Sequence, residues 1–480
     1  MRICPFSRCY REEDEGKCIR QVISHLVYWR DIPVKDTFEL IIECFHLNII
    51  CRDGRLPEKI SMSQWKGRCS MRKVLVRNVK VHTDKQIIES GSIEIEDGKI
   101  KAIYGEAERK LANDDFLVID GKQLHAIPGF IDGHIHGANG ADVMDATEAA
   151  LDAMASVLPK EGTTSFLATT ITQSPENIEA ALRNAASYVN KPGQAEMVGI
   201  HLEGPFLEKD RCGAQPPEHI IKPDVEQFKK WQELSGNRIK TITMAPEHDE
   251  TGEFIRYLAE NGVNVSAGHT ATDFAGMKKA VEYGVRQVTH ICNAMNGIHH
   301  RDIGVVGAAF QLEELRAELI ADGVHVVPEM LEIIYRNMGS ERLILITDAM
   351  RAKCLQAGKY ELGGQPVIVT EDRAVLEDGT LAGSILKLNE GARQMMQLQD
   401  VDIRSIIEMA SVNPAKQIGI YDRKGSIDIG KDADILLVDE QLNILLTVCR
   451  GEISSCHEQV LSGNGNQLEI TEMTSGGSDQ

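Results

Sequence analysis

Two histidines separated by one residue, His134 and His136, follow the run Pro128-Gly129-Phe130-Ile131-Asp132-Gly133. On an extended segment, side chains at i and i+2 share a face, so both imidazoles can grip one metal ion. Further along, Glu203 stands in His201-Leu202-Glu203-Gly204-Pro205-Phe206, and Asp348 follows Leu343-Ile344-Leu345-Ile346-Thr347. His269 and His290 each close a β-rich run. Burying a carboxylate at the end of an apolar strand is costly unless a cation or hydrogen bonds compensate it. Taken singly, each residue has a plainer role open to it. The histidines could be core residues bonded to carbonyls, and Glu203 an exposed acid before a Gly-Pro turn.

Their shared position along the chain joins them. From residue 129 onward, eight short apolar runs alternate with helix-length segments: Gly129 to His134, Thr164 to Thr169, Met197 to Glu203, Lys240 to Ala245, Val263 to His269, Arg286 to His290, Glu318 to Asp322 and Leu343 to Asp348. Amphipathic stretches such as Pro175 to Val189, Asp224 to Leu234 and Thr272 to Tyr283 lie between them. This alternation predicts an α/β fold, a (β/α)8 TIM-like barrel. All six candidate residues then fall at carboxyl ends of strands, the face on which barrels build their active sites.

The composition excludes several alternatives. With 52 basic and 72 acidic residues, a formal charge of −20, the 480-residue chain repels polyanions, so no nucleic-acid partner is expected. No apolar run is long enough to span a membrane, and Arg11-Glu12-Glu13-Asp14-Glu15 interrupts the start before a signal-peptide core could form. Eleven cysteines without paired short spacings suit a reducing compartment, so a cytoplasmic location is expected. Residues 1–70 differ from the rest. They hold six of the cysteines and carry 12 basic against 10 acidic residues, which leaves 40 against 62 for the remainder. The apolar stretch Phe38 to Ile50 shows no clear period, and 1–70 are read as an extension without catalytic role, translated from upstream of the natural start. Residues 71–127 and 424–454 read as short strands with turns, and 455–480 as a loose tail rich in Gly and Ser near its end.

At these motifs the chain resembles the amidohydrolase superfamily and, more narrowly, the N-acetylglucosamine-6-phosphate deacetylases. The likeness runs from about Met71 to about Ser454 and rests on Pro128 to Gly137, Gly199 to Phe206, Ala267 to Thr270, Thr289 to Met295, Ala321 to His325, Thr347 to Lys353, Gly379 to Ile385 and Gly430 to Asp434. The resemblance implies that 71–127 and 424–454 join as a smaller β-sandwich beside a barrel spanning 128–423. It implies metal-dependent hydrolysis of the acetamide of N-acetylglucosamine 6-phosphate. Glu203, His269 and His290 would hold the principal ion. His134 and His136 would hold a second, with Asp348 nearby and Glu203 bridging, in the place other superfamily members fill with a carboxylated lysine. Zinc is the first expectation for one or two divalent ions per subunit, with iron, manganese and cobalt also compatible with these ligands. Asp348 would be the catalytic acid and base, and His325 would contact substrate and steady its carbonyl oxygen. Ala214, Gln215, Asn293, Ala294, Leu381, Ala382 and Gly383 match substrate-contacting positions. Arg301 would reach the phosphosugar from a neighbouring subunit, which implies a homodimer with shared active sites.

Overall fold

The computed structural model describes residues 73–105, 116–456 and 468–473. The proposed extension 1–70, with Phe38 to Ile50, lies outside them.

Eight parallel strands form one sheet: β1 (Phe130–Ile135), β2 (Thr163–Thr169), β3 (Glu196–Glu203), β4 (Ile239–Met244), β5 (Asn264–Ala267), β6 (Val285–Val288), β7 (Arg316–Leu319) and β8 (Leu343–Leu345). Their spatial order is their chain order, the arrangement that lets consecutive βα units close into a barrel. The ring closes where the last strand meets the first: Asp348 N–H donates to His134 O at 2.8 Å and His136 N–H to Ala349 O at 2.9 Å. Asp132, fully buried, staples the same seam by accepting from Thr347 Oγ1 at 2.5 Å and Thr347 N–H at 3.2 Å. Residues that belong to the candidate site thus also close the barrel.

The strands form because both faces are covered. Every residue of β2, Thr-Thr-Ser-Phe-Leu-Ala-Thr, is buried, the pattern of a central parallel strand. Eight outer helices follow the strands in turn: α1 (Glu148–Val157), α2 (Pro175–Ser187), α3 (Val225–Leu234), α4 (Glu253–Glu260), α5 (Phe274–Tyr283), α6 (Gly304–Gln311), α7 (Pro328–Met338) and α8 (Leu388–Met395). In α2, Ser174 caps the Asn177 N–H and Pro175 opens the helix, where a missing N–H costs nothing. Its buried residues, Ile178, Ala181, Leu182 and Ala185, recur every three or four positions on the face toward the barrel. Burying Leu182 fully contributes about 1.5–3 kcal/mol.

A second sheet draws on both ends of the described chain, in the order Glu452–Cys456, Ile444–Cys449, Ile435–Val438, His125–Pro128, Lys73–His82, Ile87–Glu96 and Lys99–Tyr104. Lys73–His82 pairs in its first half with Phe116–Asp120 and in its second with His125–Pro128, so the sheet folds over a core of its own that includes Val76, Val79, Ile93, Ile435 and Leu446. Glu469–Met473, within the stretch expected to be loose, pairs antiparallel with Phe116–Asp120. That edge offered unpaired backbone groups, and the Glu-Ile-Thr-Glu-Met segment satisfies them.

Strands β5 to β8 are shorter than the sequence suggests. They stop at Ala267, Val288, Leu319 and Leu345, before His269, His290, Asp322 and Asp348. His269, His290 and Asp348 have left-handed backbone, with φ of 48°, 32° and 49°. Such backbone is uncommon for residues with a Cβ and concentrates at functional sites.

Candidate metal centre and active site

Each candidate ligand comes from a different strand end, and the barrel brings them together. His134 Nε2 lies 3.4 Å from both Glu203 Oε1 and Asp348 Oδ1. His136 Nε2 lies 3.2 Å from Glu203 Oε2 and 3.3 Å from Asp348 Oδ1. On the other side, His269 Nε2 and His290 Nε2 each stand 3.4 Å from Glu203 Oε1 and 3.1 Å from one another. Glu203 is shared by two groups, one with His269 and His290, the other with His134, His136 and Asp348.

These separations suit metal donors. Atoms set tetrahedrally at about 2.0–2.2 Å from one centre stand about 3.3–3.6 Å apart. His134 Nε2 and Glu203 Oε1 are buried without a hydrogen bond, a costly arrangement unless a cation meets them. Neutral imidazole and carboxylate are donors that divalent ions accept, so the residues fit one ion or two.

The electrostatics follow from packing charge into a dry space. Burial opposes ionisation of Asp348, yet His134 and His136 outweigh it and hold its carboxyl at about 2. Burial opposes protonation of His136, but hydrogen bonds to Asp348 and Glu203 raise it to about 9. Burial likewise resists the charge on Glu203, and the surrounding imidazoles, His134 foremost, bring it well below the usual carboxylate range.

Outer partners orient the ligands. His134 Nδ1 lies 2.9 Å from Glu318 Oε2, and His269 Nδ1 is 2.9 Å from Arg211 O. Gln215 Nε2 donates to Glu203 Oε2 at 2.7 Å while its Oε1 accepts from Thr172 N–H at 2.8 Å, so Gln215 fixes the carboxylate as well as lining the cavity. Gly204, at φ 73°, turns the chain straight after Glu203, and a Cβ there would fall 2.1 Å from Thr172 Oγ1.

Above the cluster opens a cavity of about 340 Å³. His136, Glu203, His269, His290 and Asp348 form its floor, while His134 is wholly buried behind them. Ala214, Gln215, Asn293, Ala294, His325, Leu381 and Gly383 line its walls. His325 is held by Asp322: its Nδ1 lies 2.7 Å from Asp322 Oδ2, and Oδ1 accepts the Val324 and His325 N–H groups at 2.8 Å. Burial resists ionisation of Asp322, but these bonds, His325 first, bring its carboxyl below the ordinary value.

Two of the expected residues do not line this chain's cavity. Ala382 does not line the cavity; its side chain packs with Ile171, Met350, Leu362 and Val367, while Leu381 and Gly383, the latter at a bend with φ 61°, border the cavity. Arg301 is exposed on the loop before α6, with Nη1 2.6 Å from His300 Nε2, and does not line this chain's own cavity. The structure adds Ile171, Asp210, Arg211, Gly213, Leu362 and Thr380 to the walls. Arg211 is the only guanidinium among the lining residues. Its position after the Glu203 turn was the one available signal, since loops at the carboxyl face of a barrel form the pocket.

Comparison with known proteins agrees with this geometry. The Amidohydrolase family profile matches residues 126–454. The N-acetylglucosamine-6-phosphate deacetylase of Bacillus subtilis (strain 168) is 46% identical over 385 residues, 79% of this chain and 97% of that protein. The crystal structure of N-acetylglucosamine-6-phosphate deacetylase from Thermotoga maritima, 32% identical, superposes with a TM-score of 0.72 over 80% of this chain and 100% of that one. A mutant of the Mycobacterium smegmatis enzyme, solved in complex with N-acetyl-D-glucosamine-6-phosphate, is 28% identical with a TM-score of 0.73, covering 80% of this chain and 99% of its own. With a barrel whose strand ends gather these donors, the chain belongs to the amidohydrolase family and, within it, to the N-acetylglucosamine-6-phosphate deacetylases.

Proposed function

We propose that this chain hydrolyses the acetamide of N-acetylglucosamine 6-phosphate to glucosamine 6-phosphate and acetate, in amino-sugar catabolism. The observation that carries the reading is the pair of donor groups sharing Glu203 beneath a cavity of sugar-phosphate size. Glu203, His269 and His290 would hold the principal ion, and His134, His136 and Asp348 a second, with zinc the first choice. A divalent ion there supplies Lewis acidity toward water and toward the acetamide carbonyl.

The chain's own residues supply the rest. Asp348 opens onto the cavity, and its carboxylate takes the proton of the attacking water and returns it to the departing amine nitrogen, without which amine expulsion is very slow. His325, with Nδ1 committed to Asp322, meets the carbonyl oxygen from its other ring nitrogen. Asn293, Ala294, Ala214, Gln215, Leu381 and Gly383 enclose the sugar and exclude water.

The phosphate takes a guanidinium, which offers it planar paired donors. Arg301 reaches it from a second subunit of a homodimer, consistent with its exposure and its place outside its own cavity. Residues 128–423 form the catalytic domain, 71–127 and 424–454 the accompanying one, and 1–70 are dispensable. No helix among the described residues is long and apolar enough to cross a membrane, and we assign the enzyme to the cytoplasm.

The test is acetate release from N-acetylglucosamine 6-phosphate, its galacto epimer and unphosphorylated N-acetylglucosamine, before and after metal removal. Metal-dependent release fastest from the gluco phosphosugar supports the proposal. Release from the galacto epimer alone would reassign the sugar, and a metal-loaded protein inert toward all three would refute the reaction.

A further inference from the structure

We propose that Glu318 is a positioning residue that fixes the tautomer of His134 and so sets the affinity of the second ion, and that a chain of amides anchored on Arg316 orients Glu318 from the opposite end of the barrel. The inference rests on the two-ion reading above. Its basis is a line of hydrogen bonds through the barrel interior that the cavity does not explain.

Arg316 and Glu318 are two apart on β7 and therefore share the inward face. At the amino end of the strands, Arg316 Nη1 donates to Gln417 Oε1 at 3.0 Å. Gln417 Nε2 donates to Asn264 Oδ1 at 2.6 Å, Asn264 Nδ2 to Gln287 Oε1 at 2.9 Å, and Gln287 Nε2 to Glu318 Oε1 at 2.6 Å. The remaining oxygen, Glu318 Oε2, meets His134 Nδ1 at 2.9 Å and the His290 N–H at 3.3 Å. Gln287 and Glu318 are 3% and 1% exposed, so water does not substitute for these partners.

The polarity of this line follows from its ends. A guanidinium has only donors, so Gln417 must turn its oxygen toward Arg316 and its NH2 toward Asn264. The same choice is imposed on Asn264 and then on Gln287, whose NH2 reaches Glu318. A carboxylate has only acceptors, so His134 must present Nδ1–H to it, and the neutral ring that a metal ion requires then carries its lone pair on Nε2. That lone pair faces Glu203 and Asp348, where a metal donor is needed. The opposite tautomer would aim an N–H at the centre and could not ligate.

Glu318→Gln breaks the pattern: its NH2 confronts either the Gln287 NH2 or His134 Nδ1–H. Outer partners of metal-binding histidines change metal affinity by about 10- to 100-fold when removed. The experiment is calorimetric titration of the chelator-stripped, full-length protein with zinc, for wild type and Glu318→Gln, with circular dichroism confirming the fold. The expected result is two binding events in wild type, with the second weakened about 10- to 100-fold in the variant and the first changed by less than about threefold. Equal weakening of both events marks Glu318 as merely structural and overturns the inference, as does an unchanged second event. A wild type that binds a single ion overturns the two-ion reading itself and this inference with it. Should Glu318→Gln not fold, Gln417→Glu at the half-buried end serves instead. It reverses Asn264 and Gln287 in turn and sets two acceptors face to face at Glu318, so the second event weakens at least about fivefold by the same outer-partner effect. An unchanged second event in that variant overturns the inference.

Discussion

Replacing Lys353 with Met should destabilise the protein strongly, and replacing its partner Glu161 as well should restore part of the loss. Lys353 Nζ is 2.6 Å from Glu161 Oε1, and the two side chains are 0% and 3% exposed. Lys353 also offsets the charge of Asp132, the buried carboxylate that staples the barrel seam. Without the ammonium, Glu161 and Asp132 remain buried with nothing cationic to balance them, at a cost of about 3–5 kcal/mol. Lys353→Met/Glu161→Leu removes the ion pair but leaves Asp132 buried without its counter-charge, so it should recover part of the loss and lie about 1–3 kcal/mol below wild type.

The sign of the pH dependence follows. Burial raises Glu161 above its ordinary value and Lys353 opposes that rise, so in Lys353→Met the folded-state value climbs further. Between the unfolded and folded values the native state binds more protons, and stability falls as pH rises. The deficit of Lys353→Met should therefore be smaller at pH 5 than at pH 8. Denaturant unfolding of the four proteins of the cycle at both pH values checks this. A double variant as unstable as the sum of the singles would show that the penalty lies in lost packing rather than in unbalanced charge.

Gly204→Ala should lower stability by more than about 1 kcal/mol and reduce activity with it, since it combines φ 73° with a Cβ overlapping Thr172; a variant with wild-type melting and turnover would contradict the geometry. His82 Nε2 lies 2.8 Å from His125 Nδ1, and burial, followed by His125, holds His82 at about 4 against 6.5. The unfolded chain binds more protons between those values, so stability should fall by about 1–2 kcal/mol as pH drops from 6.5 to 4, after allowance for solvent at the half-buried His125 beside it. His82→Gln should flatten that part of the curve, and an unaltered slope would exclude the pair as its source. Asp322→Asn should cut kcat/KM by about 100-fold by releasing His325, with metal content unchanged; near-normal turnover would remove His325 from the reaction.

The eight strands and the convergence of the six candidate residues were legible because apolar runs ending in His, Glu or Asp recur at βα spacing, and a barrel has one face on which those ends meet. The ends of β5 to β8 were not, since Gly268-His269 and Thr289-His290 continue the β-rich composition while the backbone has already turned into the left-handed region at the histidines. Glu318 and Gln287 gave no local sign either. Each looks like a polar residue that starts or interrupts a strand, and only the closed ring shows that they meet beneath His134. The side chain of Ala382 packs into the small core of Ile171, Met350 and Leu362 rather than toward the cavity, a difference that a motif match over Leu381-Ala382-Gly383 cannot resolve because it names neighbours together. The strand Glu469–Met473 escaped notice because the Ser and Gly around it dominate the composition of the tail.

The most direct test of the central claim is turnover of N-acetylglucosamine 6-phosphate by wild type and Asp348→Asn, with bound metal quantified on the same preparations. The account predicts metal-dependent acetate release by wild type and a loss of at least about 100-fold in Asp348→Asn even where the principal ion of Glu203, His269 and His290 is retained. Comparable turnover in a metal-loaded Asp348→Asn would contradict the assignment of Asp348 as the proton carrier and require another base.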